Sequence, residues 1–345
     1  MNRREFLSIG GACLCAPSAF AGVLPTAARS GVGRTLILVE LKGGNDGLNT
    51  VVPFADPVYR LLRPTIGIAR ERVLQLDERT GLHPSLEPLM PLWRDGQLAI
   101  VQGVGYAQPN LSHFRSMEIW NTASRSDQYW RDGWLARALS AAGNAVDPIA
   151  IGSAEAGPFA SGPLRFIDDA DVRGTLKSRF PANPFGAAIR SAMLLLASAK
   201  PRRDLAVLRL TLNGFDTHQN QTRQHAMLLK TLSDGLLAMR RALIELGRWD
   251  EALVLTCSEF GRSARENQSG GTEHGTVAPH FVAGGCVRGG LYGAAPQLAR
   301  LDGNGNLPLA IDFRQLYSTV LGAWLDLDAS AILQQRFEPL PLIRT

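Results

Sequence analysis

The sequence predicts an α/β fold: one domain with a mainly parallel central sheet and helices on both faces. Three observations carry that expectation. Strand-length apolar runs recur at "TLILVEL", "LAIVQGV", "DLAVLRLTL" and "EALVLTC", each followed by a break containing Gly, Asn, Ser or Asp. Their hydrophobicity is continuous rather than alternating, as in strands covered on both faces. Helical patterns lie between them, and strands alternating with helices build parallel sheets. Finally, 345 residues that are 45% hydrophobic and 19% charged suffice for a sizeable core.

The chain opens on a segment that is not part of the fold. Arg3-Arg4 is followed by Phe6-Leu7, a weakly apolar stretch and then Ala19-Phe20-Ala21, a small-x-small cleavage pattern. That order is expected of a twin-arginine export signal over residues 1–28. It implies the twin-arginine translocase as a partner during export and a periplasmic or secreted location, with residues 29–345 forming the α/β domain. No later apolar run reaches the ~20 residues of a membrane-spanning helix, so an integral membrane protein is not expected. A formal net charge of +5 without basic runs or interleaved aromatics argues against nucleic acid and supports at most a mild preference for anionic substrates. Cys257 and Cys286 remain after cleavage, as one disulfide or two buried thiols.

Each remaining element has its own reason. "LILVEL" should be a buried strand, and it runs into Gly43-Gly44-Asn45-Asp46-Gly47. That turn places Asp46 beyond a strand's carboxyl end, where such sheets collect ligands. His83 precedes Pro84 at the entrance of a helix expected in "SLEPLMPLW", and "LAIVQGV" leads to Ser112-His113. Residues 141–169, rich in Gly, Ala and Pro, read as a loop-rich insert or a short peripheral strand. Residues 225–247 set Leu228, Leu229, Leu232, Leu236, Leu237, Leu243 and Leu246 on one helical face, and Gly247 is a stop.

Five of the six histidines fall at or just beyond expected strand ends. Ser112 serves either as a helix cap or as a hydroxyl backed by a helix N-terminus. Asp216 and His218 are either turn residues or a mixed O/N metal pair. Glu259 follows its strand as Asp46 follows its own, with Arg262 within pairing reach, and His274 is a loop residue or the last ligand of the same centre. Six residues gathered on one rim favour the functional reading: Asp46, Ser112, Asp216, His218, Glu259 and His274.

In this order the residues resemble the alkaline phosphatase superfamily of phosphatases, sulfatases and phosphoglycerate mutases. More closely, "LKGGNDGLN", "GLHPSL", "SHFRSMEIW", "NGFDTHQNQ", "SEFGR" and "TEHGTVAPHF" resemble the bacterial exported family known as domain of unknown function 1501, over roughly residues 35–325. The superfamily resemblance implies a metal-assisted hydrolase of phosphate or sulfate esters, acting on a small anionic ester or a sulfated or phosphorylated glycan. Asp216, His218 and His274 would form the better metal site, for Zn or Mn. Asp46 and Glu259 would form a weaker, oxygen-rich one near Ser112, for Mg or Ca. Ser112 or a water would attack, His113 would act as general acid or anion contact, and Arg115 or Arg262 would steady charge. Glu259-Phe260 stands where the superfamily has Asp-His, and His225 is an alternative to His218. The other reading is a catalytically silent member that binds a polysaccharide or partner protein.

Overall fold

A computed structural model describes residues 33–142, 146–151, 153–167, 172, 174–198 and 205–344, all within the compact unit Gly31–Thr345. The export signal expected at residues 1–28 lies outside the described residues. The strands are β1 Thr35–Lys42, β2 Val51–Val52, β3 Leu74–Gln75, β4 Gly81–Leu82, β5 Leu98–Gly105, β6 Val146–Ile151, β7 Arg165–Ile167, β8 Leu205–Asn213, β9 Ala252–Cys257, β10 Gly261–Glu266, β11 Thr272–Gly275, β12 Ala278–Ala283, β13 Gly290–Tyr292 and β14 Ile311–Asp312. The α-helices are α1 Gly47–Thr50, α2 Pro57–Leu62, α3 Met90–Arg94, α4 His113–Thr122, α5 Trp134–Ala142, α6 Pro184–Ser198, α7 Gln221–Glu245, α8 Phe313–Ser318 and α9 Ala329–Leu333.

The main sheet runs β13-β5-β12-β9-β1-β8-β6-β7, with β14 also on β5. β1 is parallel to both β8 and β9, and β6 is parallel to β7 and β8. The exception to parallel pairing is β12, antiparallel to both β5 and β9. The expected α/β class with a mainly parallel sheet is the one observed. Successive β1 side chains enter opposite cores: Ile37, Val39 and Leu41 meet the layer of α6 and α7, whereas Leu36 and Leu38 meet that of α5 and α8. Both faces are therefore buried, which is why the run is continuous rather than alternating.

Three details differ from the sequence reading. The stretch after His83 is a 3-10 turn, Pro84–Leu89, before the short α3, because Pro88 and Pro91 cannot donate within an α-helical ladder. Residues 141–169 meet the peripheral-strand alternative but with two strands, β6 and β7, at one edge of the sheet rather than one. His280 lies inside β12, fully buried, rather than at a strand end. Cys257 and Cys286 are not bonded to each other. Among the described residues no helix is long and apolar enough to cross a membrane.

Candidate metal centre

The sheet brings four separate loops to one rim. β1, β5, β8 and β9 all end there, and β12, being antiparallel, begins there. The turn after β8 carries Asp216 and His218, the segment after β5 leads to His113 at the start of α4, Glu259 follows β9, and the β10–β11 hairpin before β12 carries His274. Within that hairpin Arg262 is directly opposite His274, so the guanidinium and the imidazole share one face.

The floor beneath them is the Gly43-Gly44 turn. Both glycines have positive φ, 118° and 81°, and a Cβ on Gly43 would sit 2.3 Å from the backbone nitrogen of Asp216, one on Gly44 2.6 Å from the Phe260 ring. Glycine is thus required by the close approach of three chain segments. Arg262, buried below this floor, donates to the backbone oxygens of Gly44 (2.8 Å), Phe215 (3.0 Å), Thr272 (3.0 Å) and Gly43. Its Nη2 also donates to Asp216 Oδ1 at 2.6 Å. Burial alone would raise the Asp216 pKa, but this guanidinium overrides it and holds the carboxyl down at about 2.

Three imidazoles face that carboxylate through the same ring nitrogen. His218 Nε2 is 3.0 Å and His274 Nε2 3.3 Å from Asp216 Oδ1, and His113 Nε2 is 3.5 Å from Oδ2. His218 and His274 bring their Nε2 atoms within 3.1 Å of each other. The opposite nitrogen of each ring meets an oxygen acceptor: Glu259 Oε1 for His113 (2.9 Å), the Leu111 carbonyl for His274 (2.8 Å), Glu273 Oε2 for His218 (3.1 Å). A carboxylate or carbonyl only accepts, so each Nδ1 donates, and with a metal ion bound each Nε2 would be the nitrogen left to ligate it.

Arg262 is the cation already beside this cluster, 2.6 Å from Asp216 Oδ1 and 3.5 Å from His218 Nε2, and a metal ion would be a second one among the Nε2 atoms. Ligands about 2.0–2.1 Å from a tetrahedral zinc are about 3.3 Å apart, close to the 3.0–3.5 Å spacings here. Anchoring of each free ring nitrogen by an oxygen is also what metal-ligating histidines show. Donor atoms of His113, Asp216 and His274 all lie within 4.8 Å of one another, and His218 Nε2 lies beside two of them, Asp216 Oδ1 and His274 Nε2. His113, Asp216 and His274 could hold a metal ion, with His218 beside them.

The other expected site residues are placed differently. Asp46 is buried in an ion pair with Arg63, Nη1 to Oδ2 2.6 Å, and also accepts from Gln221. Burial would raise its pKa, yet Arg63 outweighs that and holds it low. Glu259 is taken up by His113 and by the Gly43 N–H at 2.8 Å. Neither joins Ser112 in a second, oxygen-rich cluster. Ser112 is exposed at the N-cap of α4 and makes no capping bond with its side chain. Arg115 faces away: it donates to the Ser126 carbonyl at 3.0 Å and lies 3.7 Å over the Tyr129 ring. Phe260 borders the cluster, its ring 4.4 Å from that of His274 and 4.8 Å from that of His113. His225 is buried elsewhere, 3.0 Å from Asn45 Oδ1. The sequence reading missed that Glu259 and Glu273 hold histidines, His113 and His218, neither of which is its neighbour in the chain.

Residues 173–335 match the family model described as Protein of unknown function (DUF1501). The family resemblance drawn from the motifs is met over this stretch, which contains Asp216, His218, Glu259, Arg262 and His274. No curated protein matches the sequence. Among solved structures the chain is similar to the C-terminal periplasmic domain of EcEptC from Escherichia coli in complex with Zn, at TM-score 0.44 and 10% identity, covering 73% of each chain. It is similar to the lipoteichoic acid synthase LtaP from Listeria monocytogenes (0.46, 11%, 86% of this chain and 73% of that one). A third is a protein in the alkaline phosphatase superfamily from Vibrio parahaemolyticus (0.40, 10%, 76% and 62%).

Proposed function

We propose that this chain is an exported, metal-assisted hydrolase of phosphate or sulfate esters, its metal held by His113, Asp216, His218 and His274. The observation that carries the reading is the convergence of three anchored Nε2 atoms on one carboxylate. Three imidazoles and one carboxylate suit zinc better than manganese or the harder magnesium and calcium. When bound, such an ion supplies Lewis-acid polarisation of an ester oxygen. Arg262 keeps Asp216 ionised and fixed through its Oδ1, leaving Oδ2 as the freer oxygen. His113 suits a ligand better than a general acid, since both its nitrogens face carboxylates.

The Ser112 hydroxyl is the nucleophile in this reading. It stands one residue before His113, is exposed, and is not spent on capping. The unpaired N–H groups of α4's first turn favour an anion beside it. A cleft of about 570 Å³ continues from His113 and Glu259 past Lys42, Phe114, Asn121 and Trp130, room enough for a leaving group larger than a bare anion. Side-chain amides and aromatic faces suit a glycan bearing the ester.

Metal content after purification without added metal, followed by turnover of an aryl phosphate and an aryl sulfate, tests the reading. About one zinc per chain is expected, with turnover abolished in Ser112→Ala while the metal stays. A folded protein that takes up no zinc in excess sinks the proposal, and stoichiometric zinc without turnover of any ester favours the silent glycan- or protein-binding alternative.

A further inference from the structure

β5 and β12 slip register by one residue. Ala278 is opposite Val104, but His280 is opposite Val101, so β5 holds an extra residue between them. Gly103 there has φ 65°, and a Cβ on it would lie 2.7 Å from the Ala310 Cβ. A glycine with positive φ at an extra strand residue marks a bulge, a device that re-aims a neighbouring side chain. The neighbour is Gln102, which lines a cavity of about 150 Å³ together with Leu48, Val277, Pro279, Pro296 and Leu309. Gln102 is 4% exposed, and its Oε1 has no hydrogen-bond partner.

We propose that this cavity binds a small uncharged molecule, largely apolar and carrying one hydroxyl that donates to Gln102 Oε1. The volume matches a benzene-sized ligand. No lining residue carries a charge, so an ionic ligand would be desolvated without compensation. Gln102 is the only buried polar side chain on the wall. A buried amide oxygen left unpaired is costly, and a hydroxyl on an otherwise apolar ligand removes that cost. Entry is from the side of Ala294, Ala295 and Leu309, which line the cavity and are exposed. The site is separate from the metal centre, whose ligands do not line it.

Titration calorimetry of the whole protein, with chelator present, uses phenol, benzene and benzoate as probes on the wild type and on Gln102→Met. Phenol is expected to bind saturably, benzene more weakly and benzoate not at all. In Gln102→Met, phenol should lose about tenfold in affinity, one buried hydrogen bond's worth, while benzene is unchanged or tighter. Equal phenol affinity in the two proteins, or no binding of either phenol or benzene to the wild type, overturns the proposal. Benzoate binding as tightly as phenol overturns it as well. Should Gln102→Met fail to fold, the ranking of the three probes on the wild type still decides.

Discussion

At the scale of single residues, the centre depends on which ring nitrogen carries the proton. Glu259 fixes that choice for His113 by accepting from Nδ1, and its side chain is held in turn by the Gly43 N–H and buried against the rim. The same contact raises the His113 pKa from its ordinary value, the Glu259 hydrogen bond being the main cause. Glu259→Gln keeps an acceptor in the same place but removes the charge that makes the ring a strong donor to metal. Outer-sphere changes of this kind typically cost 10–100-fold in metal affinity, and the lower end, about tenfold for zinc, is expected here. Competition with a chromogenic chelator measures it. His83→Ala provides the contrast: His83 accepts from the Ser85 N–H at 3.0 Å beside α7, away from the centre, and its loss should leave zinc affinity unchanged. Equal weakening by both substitutions would mean that the metal sits elsewhere.

At the scale of elements, Arg63 at the end of α2 joins three parts of the rim. It donates to Asp46 before α1 and, from Nε (3.0 Å) and Nη2 (2.9 Å), to the backbone oxygens of Ala264 and Ser263 in β10. Both charges of the pair are fully buried, and breaking such a pair from one side costs about 3–5 kcal/mol. Arg63→Met should therefore lose about that much in urea denaturation, and adding Asp46→Asn should recover part of it. Asp46→Asn alone should lower stability but not zinc content. A fall in zinc content would restore Asp46 to the list of ligands. The case also shows what the sequence could convey. The buried strands were legible because apolar continuity is local, and so was the gathering of Asp216, His218 and His274 on one rim, since each follows or precedes such a run. The partner of Asp46 was not legible: Arg63 is 17 residues away on a short helix whose packing against β10 no periodicity encodes. For the same reason Glu259 read as a ligand rather than as the anchor of His113, which lies 146 residues earlier in the chain.

At the scale of the whole molecule, two expectations remain to be measured. If Arg3-Arg4 direct export, replacing both with Lys should leave full-length precursor in the cytoplasm, while the wild type appears in the periplasm about 21 residues shorter; normal processing of the Lys-Lys form would remove the assignment. The second concerns acid. His280 is buried inside the sheet against the Trp120 ring, 5.3 Å between centroids, with no partner for either ring nitrogen, and burial alone depresses its pKa to about 3. An unfolded histidine titrates near 6.5. Above that pH both states are neutral and the residue is indifferent. Between about 6.5 and 3 the unfolded chain binds a proton that the folded protein refuses, so stability falls as the pH drops through this window and levels off below it. At pH 5 the loss from this one group is about 2 kcal/mol, from 1.36 kcal/mol per unit over the gap to 6.5. His280→Leu removes the titration and the two orphaned nitrogens while keeping an apolar side chain of similar bulk. Urea denaturation of the metal-free protein at pH 7.5 and pH 5 should give the variant a stability difference about 2 kcal/mol smaller than the wild type's. Because His83 and His225 are also held neutral by burial, down to about 4 and about 3, the variant should keep the remainder of the acid limb. An unchanged pH dependence would mean that His280 is already protonated or hydrated in the folded state, and that the sheet is open to water at β12.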